Sequence, residues 1–219
     1  MGLLVTPPEH SAKQPRKKVG ILVFPDVEVL DFCGPFEVFS VTRLDETRRR
    51  DTVSPFEPLL ISERDGMVEA TGGLCVQPRH NIRNCPPLDI LVVPGGWGTR
   101  REIDNPVLID WIAATGPQVE TLCSVCTGAM LLGKAGLLDG LRATTHFMSF
   151  EWMRTRLPRV RLVTDEHVVD SGRVLTSAGI SAGIDMALRV VTRHYGEAVG
   201  RATARQMEYP YPQSNARRV

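Results

Sequence analysis

Three short, predominantly apolar runs punctuate the chain: Val19 to Phe24, the stretch "LDILVVPGG" ending at Gly96, and Val119 to Val125. None alternates apolar with polar residues, and each is too short for a buried helix, so each reads as a strand covered on both faces. Pro25-Asp26 stops the first, and Pro94-Gly95-Gly96 the second. The segments between them have different patterns. "DFCGPFEVFSVTRL" reads as a helix restarting at Pro35, a favoured first-turn residue. "FEPLLIS" and "GLCVQ" read as strands around a turn at Asp65-Gly66, and Asn105-Pro106 as cap and first turn of a helix over "VLIDWIAAT". Thr127 to Leu138 reads as a helix carrying Leu131, Leu132, Leu137 and Leu138. "RATTHF" then predicts a short strand and turn, "SFEWMRTRL" a helix, and "VVDSGRVLTS" a hairpin turning at Asp170-Ser171-Gly172. Two more helices, "SAGIDMALRVVTRHY" and "EAVGRATARQM", precede a polar tail after Glu208.

Strands that alternate with helices in this way predict an α/β layered fold with a largely parallel sheet. There is no internal repeat and no interdomain linker. The expected organisation is a flexible leader over 1–17, one domain over 18–210 and a tail over 211–219, with a charged surface loop at 45–54.

Composition narrows the function classes. The 219 residues, 42% of them hydrophobic, suffice for a full core. Net charge is +1, which argues against a nucleic-acid surface or an acidic tail. Five cysteines (Cys33, Cys75, Cys85, Cys123, Cys126) are an odd set in a chain too large to need stapling. They fit reduced thiols in a cytoplasmic setting. The first twenty residues have too short an apolar run and too many prolines for a signal peptide, and no stretch has membrane-spanning length. Met1, Gly2 and Thr6 meet a loose acylation pattern that is too short to weigh against a plain leader.

The chemistry concentrates in "TLCSVCTGAM", residues 121–130. A zinc site would need a second ligand pair at matching spacing, and Cys33, Cys75 and Cys85 are isolated. A redox pair would open a helix with its first cysteine, whereas Cys123 falls inside the strand. Gly128 to Lys134 reads G-x-x-x-x-G-K, but Ala135 stands where a phosphate loop needs Ser or Thr. What fits is Ser124-Val125-Cys126-Thr127-Gly128: a nucleophile flanked by small residues between strand and helix, the form of a nucleophile elbow. The helix behind it would favour a Cys126 thiolate. Cys123 is then a core residue.

In these strings the chain resembles the ThiJ/PfpI superfamily (class I glutamine amidotransferase-like fold) and, within it, the isocyanide hydratase-like branch. The motifs are "FPDVEVLDFCGPFEVF", "LDILVVPGGWG", "SVCTGAMLLGKAGLLDG", "RATTHF" and "TSAGISAGIDMAL", in family order over about residues 18 to 210. Sensor domains of AraC-type regulators carry nearly the same strings. The resemblance implies a flavodoxin-like sandwich, a homodimer with its site near the subunit interface, a small-molecule substrate, and no metal or organic cofactor. It makes Cys126 the nucleophile and Asp31 the carboxyl facing it. Thr127 stands where peptidase-like relatives have His. Gly95 and Gly96 become backbone donors to the reacting atom, with Trp97 beside them and His146 near the site. The implied reaction adds water to an isocyanide and yields an N-substituted formamide. Two alternatives stay open: glyoxalase-, deglycase- or amidase-like chemistry at the same cysteine, and a free-standing ligand-sensing or redox-responsive domain. A helix-turn-helix segment is not expected in the few residues after the last helix.

Overall fold

The computed structural model describes residues 15–218; most of the expected leader, and His10 with it, lies outside the described residues. In chain order the strands are β1 (Lys17–Leu22), β2 (Phe56–Ser62), β3 (Val68–Glu69), β4 (Cys75–Val76), β5 (His80–Asn81), β6 (Ile90–Val93), β7 (Thr121–Val125), β8 (Arg142–Ala143), β9 (Arg161–Leu162), β10 (Val168–Ser171) and β11 (Val174–Ser177). The α-helices are α1 (Val29–Val41), α2 (Thr99–Glu102), α3 (Pro106–Thr115), α4 (Gly128–Lys134), α5 (Phe150–Arg156), α6 (Ala182–Tyr195) and α7 (Glu197–Gln206).

Seven strands form one sheet in the order β10-β11-β7-β6-β1-β2-β5, parallel except for the β10–β11 hairpin. The apolar runs supply its centre: β6 and the last four residues of β1 are buried throughout, as is β7. Chain direction explains the two helical layers. From β1 the chain crosses through α1 to β2 on one side; from β6 it crosses through α3 to β7 on the other. Crossovers of one hand that run in opposite directions put their helices on opposite faces. Accordingly α1, α6 and α7 pack together, and α4 packs with α2 and α3. The direction reverses between β1 and β6, and the crevice beyond the carboxyl ends of strands at such a reversal is where open α/β sheets bind ligands.

Two local expectations change. The first helix does not restart at Pro35 but runs through it from Val29. Proline there removes the N–H that would have bonded to the Asp31 carbonyl, and burial of Phe32, Val38 and Phe39 holds the helix together regardless. The helix after Cys126 ends at Lys134, so Leu137 and Leu138 lie in the following turn. The Asn105 cap does form, its side chain accepting from the Leu108 amide, with Pro106 opening α3.

The tail folds back on the body. At the exposed edge of β10, the Asn215 side chain accepts from the Val168 amide at 3.1 Å and donates to the Val168 carbonyl at 2.9 Å, as a neighbouring strand would. Arg218 pairs with buried Asp185 at 2.8 Å, and the Tyr209 hydroxyl donates to the same carboxylate at 2.9 Å. His167, also buried, stands 3.0 Å from Asp185. No helix among the described residues is long and apolar enough to cross a membrane.

Candidate active site

Cys126 follows β7 and precedes α4 with φ at +56°, a left-handed conformation that costs a non-glycine residue energy. Several contacts enforce it. Its amide donates to the Ser177 and Ala178 carbonyls at 3.2 and 3.0 Å, and its carbonyl accepts the Thr145 hydroxyl at 2.8 Å. The glycine two residues on permits the turn: a Cβ on Gly128 would lie 2.0 Å from the Val93 carbonyl oxygen. The small residues of the sequence pattern therefore answer to close backbone approach.

Asp31, in the first turn of α1, is fully buried. Its Oδ2 accepts the Gly95 amide at 2.9 Å. Its Oδ1 is buried without a hydrogen-bond partner among the described residues and lies beside the Cys126 thiol. Burial drives the Asp31 carboxyl well above the ordinary carboxylate range, opposed by the Gly95 amide. Burial, with Asp31 next in weight, likewise pushes the Cys126 thiol up, opposed by hydrogen bonds from the Thr127 amide and hydroxyl. Two anions cannot share this dry site, so the pair retains at least one proton and titrates as a unit. The thiolate expected from the helix alone is thus held back: the helix contributes through the Thr127 amide, and desolvation outweighs it.

Thr127 is buried, and its hydroxyl accepts the Gly96 amide at 3.0 Å, with the Thr99 hydroxyl 2.9 Å away. The Gly95 and Gly96 amides are therefore already donated, one to Asp31 and one to Thr127. A Cβ on Gly95 would fall 2.5 Å from the Thr127 amide nitrogen and hydroxyl oxygen, so glycine is required where the two loops meet.

The sulfur opens onto a cavity of about 180 Å³ lined by Glu28, Trp97, Arg100, His146, Met148 and Ile180, among others. His146 accepts the Met148 amide on Nδ1 at 3.3 Å, and its ring lies against Gly179 and Phe147. Burial, aided by Arg217, lowers its pKa and keeps it neutral. Arg217 in turn donates to the Thr144 hydroxyl at 2.5 Å and the Thr145 carbonyl at 3.0 Å, so the tail braces the hydroxyl that grips the Cys126 carbonyl. The rim is apolar and exposed at Trp97, Phe147, Met148 and Ile180. Ile180 has φ at +50°, a true outlier for a β-branched residue.

The structure thus brings Cys126, Asp31, Thr127, Gly95, Gly96, Trp97 and His146 together at the carboxyl ends of the strands. Sequence reading missed Arg100, Ile180, Thr145 and Arg217. Only the basic pair Arg100-Arg101 beside a glycine turn could have signalled Arg100. His80 and His194 lie away from this cavity, and Cys123 is core, its thiol raised to about 12 by burial. All five cysteines are free. Among the described residues no three His, Cys, Asp or Glu side chains cluster as metal ligands would.

Residues 17–193 match the DJ-1/PfpI family. The chain is 32% identical to an isonitrile hydratase of Pseudomonas putida over 192 residues, 88% of this chain and 78% of that one. It is also 32% identical to the HTH-type transcriptional regulator GbdR of Pseudomonas aeruginosa, over 65% of this chain but 38% of the regulator. Among solved structures, a THiJ/PfpI family protein from Pseudomonas syringae superposes with a TM-score of 0.77 at 27% identity, covering 91% of this chain and 78% of that one.

Proposed function

The chain belongs to the DJ-1/PfpI family, and from that premise we propose that it is a cysteine-dependent hydratase of isocyanides. The observation that carries the reading is the burial of the Asp31 carboxyl beside the Cys126 thiol, with threonine rather than histidine after the sulfur. Among the described residues His146 has no carboxylate partner to orient it, so no Cys-His-acid peptidase triad is assembled there. A nucleophile with a proton held beside it suits an electrophile that must gain hydrogen at the attacked carbon.

The reaction then runs as follows. Cys126 Sγ attacks the terminal carbon of R–N≡C as its proton passes to Asp31. Asp31 returns that proton to the same carbon, giving the thioimidate R–N=CH–S–Cys126. Water adds to the carbon, one of its protons going to nitrogen. The C–S bond breaks, the remaining hydroxyl proton returns to sulfur, and R–NH–CHO leaves. Thr127, fixed by the Gly96 amide and the Thr99 hydroxyl, holds the sulfur in line. No residue in these steps calls for a metal or redox cofactor.

The exposed apolar rim fits a homodimer that covers it, checked by light scattering on the purified chain. The reading is tested with an alkyl isocyanide by following the formyl proton of the product by NMR, with Cys126→Ser as control. Formamide from the native protein and none from the variant supports it; no formamide from any isocyanide overturns it. The GbdR similarity favours a second reading, a ligand-sensing domain. That reading expects saturable binding of a small ligand without turnover.

A further inference from the structure

The cavity holds one cation that the chemistry above does not use. Arg100, in α2, lines the same cavity as Cys126. Its guanidinium lies over the Trp97 ring at 4.4 Å and over the Trp152 ring at 5.3 Å. Cation–π contact with the indoles uses none of the guanidinium N–H donors, and among the described residues these have no hydrogen-bond partner. Among the described residues no carboxylate stands within 4 Å of Arg100, although its chain neighbour Arg101 pairs with both Asp26 and Glu102. Glu28, the other charged residue of the lining, is therefore not its counter-ion. A second positive group lies behind the cavity wall: Arg217, whose Nε and Nη1 are buried without partners. Its field already reaches the cavity, where it helps to keep His146 uncharged. Two indoles thus pre-orient a cation whose free edge has the fork geometry that carboxylates match in bidentate fashion.

We propose that Arg100 is a specificity-determining residue that selects substrates bearing a carboxylate on the group attached to the reacting carbon or nitrogen. The inference rests on Cys126 as nucleophile, and it names the substrate class for the hydratase reading: isocyano acids rather than simple alkyl isocyanides. The carboxylate docks on the N–H edge of Arg100 while the electrophilic end reaches the sulfur. The small cavity limits the spacer between the two to a few atoms.

Two matched pairs of probes test this. The first is turnover of isocyanoacetate against its methyl ester, which present the same isocyanide with and without charge. The second does not depend on turnover: alkylation of Cys126 by iodoacetate against iodoacetamide, read by peptide mass spectrometry. In each alkylation sulfur displaces iodide and forms a C–S bond, so only reagent charge differs. Exposed Cys75 serves as internal reference. The charged-to-neutral rate ratio at Cys126 is expected to exceed that at Cys75 by about tenfold, as a modest charge-assisted contact supplies. Arg100→Met is expected to bring it down to the Cys75 value, and Arg100→Lys to an intermediate one. The readout is a ratio, so a change in sulfur reactivity common to both reagents cancels. A ratio unchanged in Arg100→Met overturns the proposal. Failure to hydrate either isocyanide, with the alkylation ratio behaving as expected, overturns the hydratase reading and leaves the carboxylate site standing.

Discussion

Replacing Asp31 by asparagine separates proton transfer from every other task of this residue. The carboxyl is fully buried, so the replacement must fill the same volume, and asparagine does. The amide oxygen can still accept from the Gly95 amide, which bonds to Oδ2 at 2.9 Å. The fold thus keeps its hydrogen bond, whereas Asp31→Ala would orphan a buried N–H at a cost of about 1–3 kcal/mol. What asparagine cannot do is carry a proton from sulfur to carbon. That role contributes roughly 10²–10⁴-fold in rate, so single-turnover formamide formation should fall by that factor. Stability should move the other way. The folded carboxyl holds its proton more tightly than the unfolded one, so its contribution is fully present below the unfolded pKa of about 3.9. It is lost as pH rises through the folded value. An asparagine is neutral at every pH. The melting temperature of the variant, relative to native, should therefore climb as pH rises from about 4, while activity stays low throughout. Near-native turnover, or a variant that loses stability with rising pH, would refute the account of a buried, proton-holding Asp31.

Three further outcomes are expected. Gly95→Ala should displace the elbow, because the new methyl would sit 2.5 Å from the Thr127 amide; an error of about 1 Å costs roughly 10²-fold in turnover, and overpacking costs about 1–3 kcal/mol in a thermal melt. Native kinetics in that variant would show the loops to be slack. With a neutral thiol reagent at neutral pH, exposed Cys75 should label before Cys126, and Cys123 only on unfolding, because burial holds both interior thiols protonated; peptide mapping over time decides. The His146 imidazole should titrate below the ordinary histidine midpoint of about 6.5, and an NMR titration placing it higher would contradict the burial, aided by Arg217, that lowers it.

The parts of the site that follow from local rules were legible in the sequence. Cys126 announced itself through small neighbours between an apolar strand and a helix, and Asn105-Pro106 through capping chemistry. Pro35 misled because a propensity rule for an isolated turn was overridden by the packing of Phe32, Val38 and Phe39. How far the helix acts on the Cys126 thiol was hidden for a related reason. A helix N-terminus is visible in sequence, but the burial that opposes it depends on α1, the β6 loop and the elbow closing on one another. Arg217 and Thr145 could not be found at all. Their effect on Cys126 passes through a contact between residues 72 apart, and no periodicity encodes it. Arg100 was hidden likewise, since its stacking partner Trp152 belongs to a different helix.

The brace formed by Arg217 on the Thr144–Thr145 segment gives Cys126 a timetable as well as a position. Cys126 emerges during synthesis about 90 residues before Arg217, a delay of roughly 5 to 20 s at ordinary elongation rates. Through that interval the sulfur is present, but the hydroxyl that grips its carbonyl lacks its outer support, and β10 lacks the Asn215 pairing along its open side. The nascent chain therefore carries Cys126 in an unfinished turn, and the segment around Arg217, made later, completes the seating of that thiol.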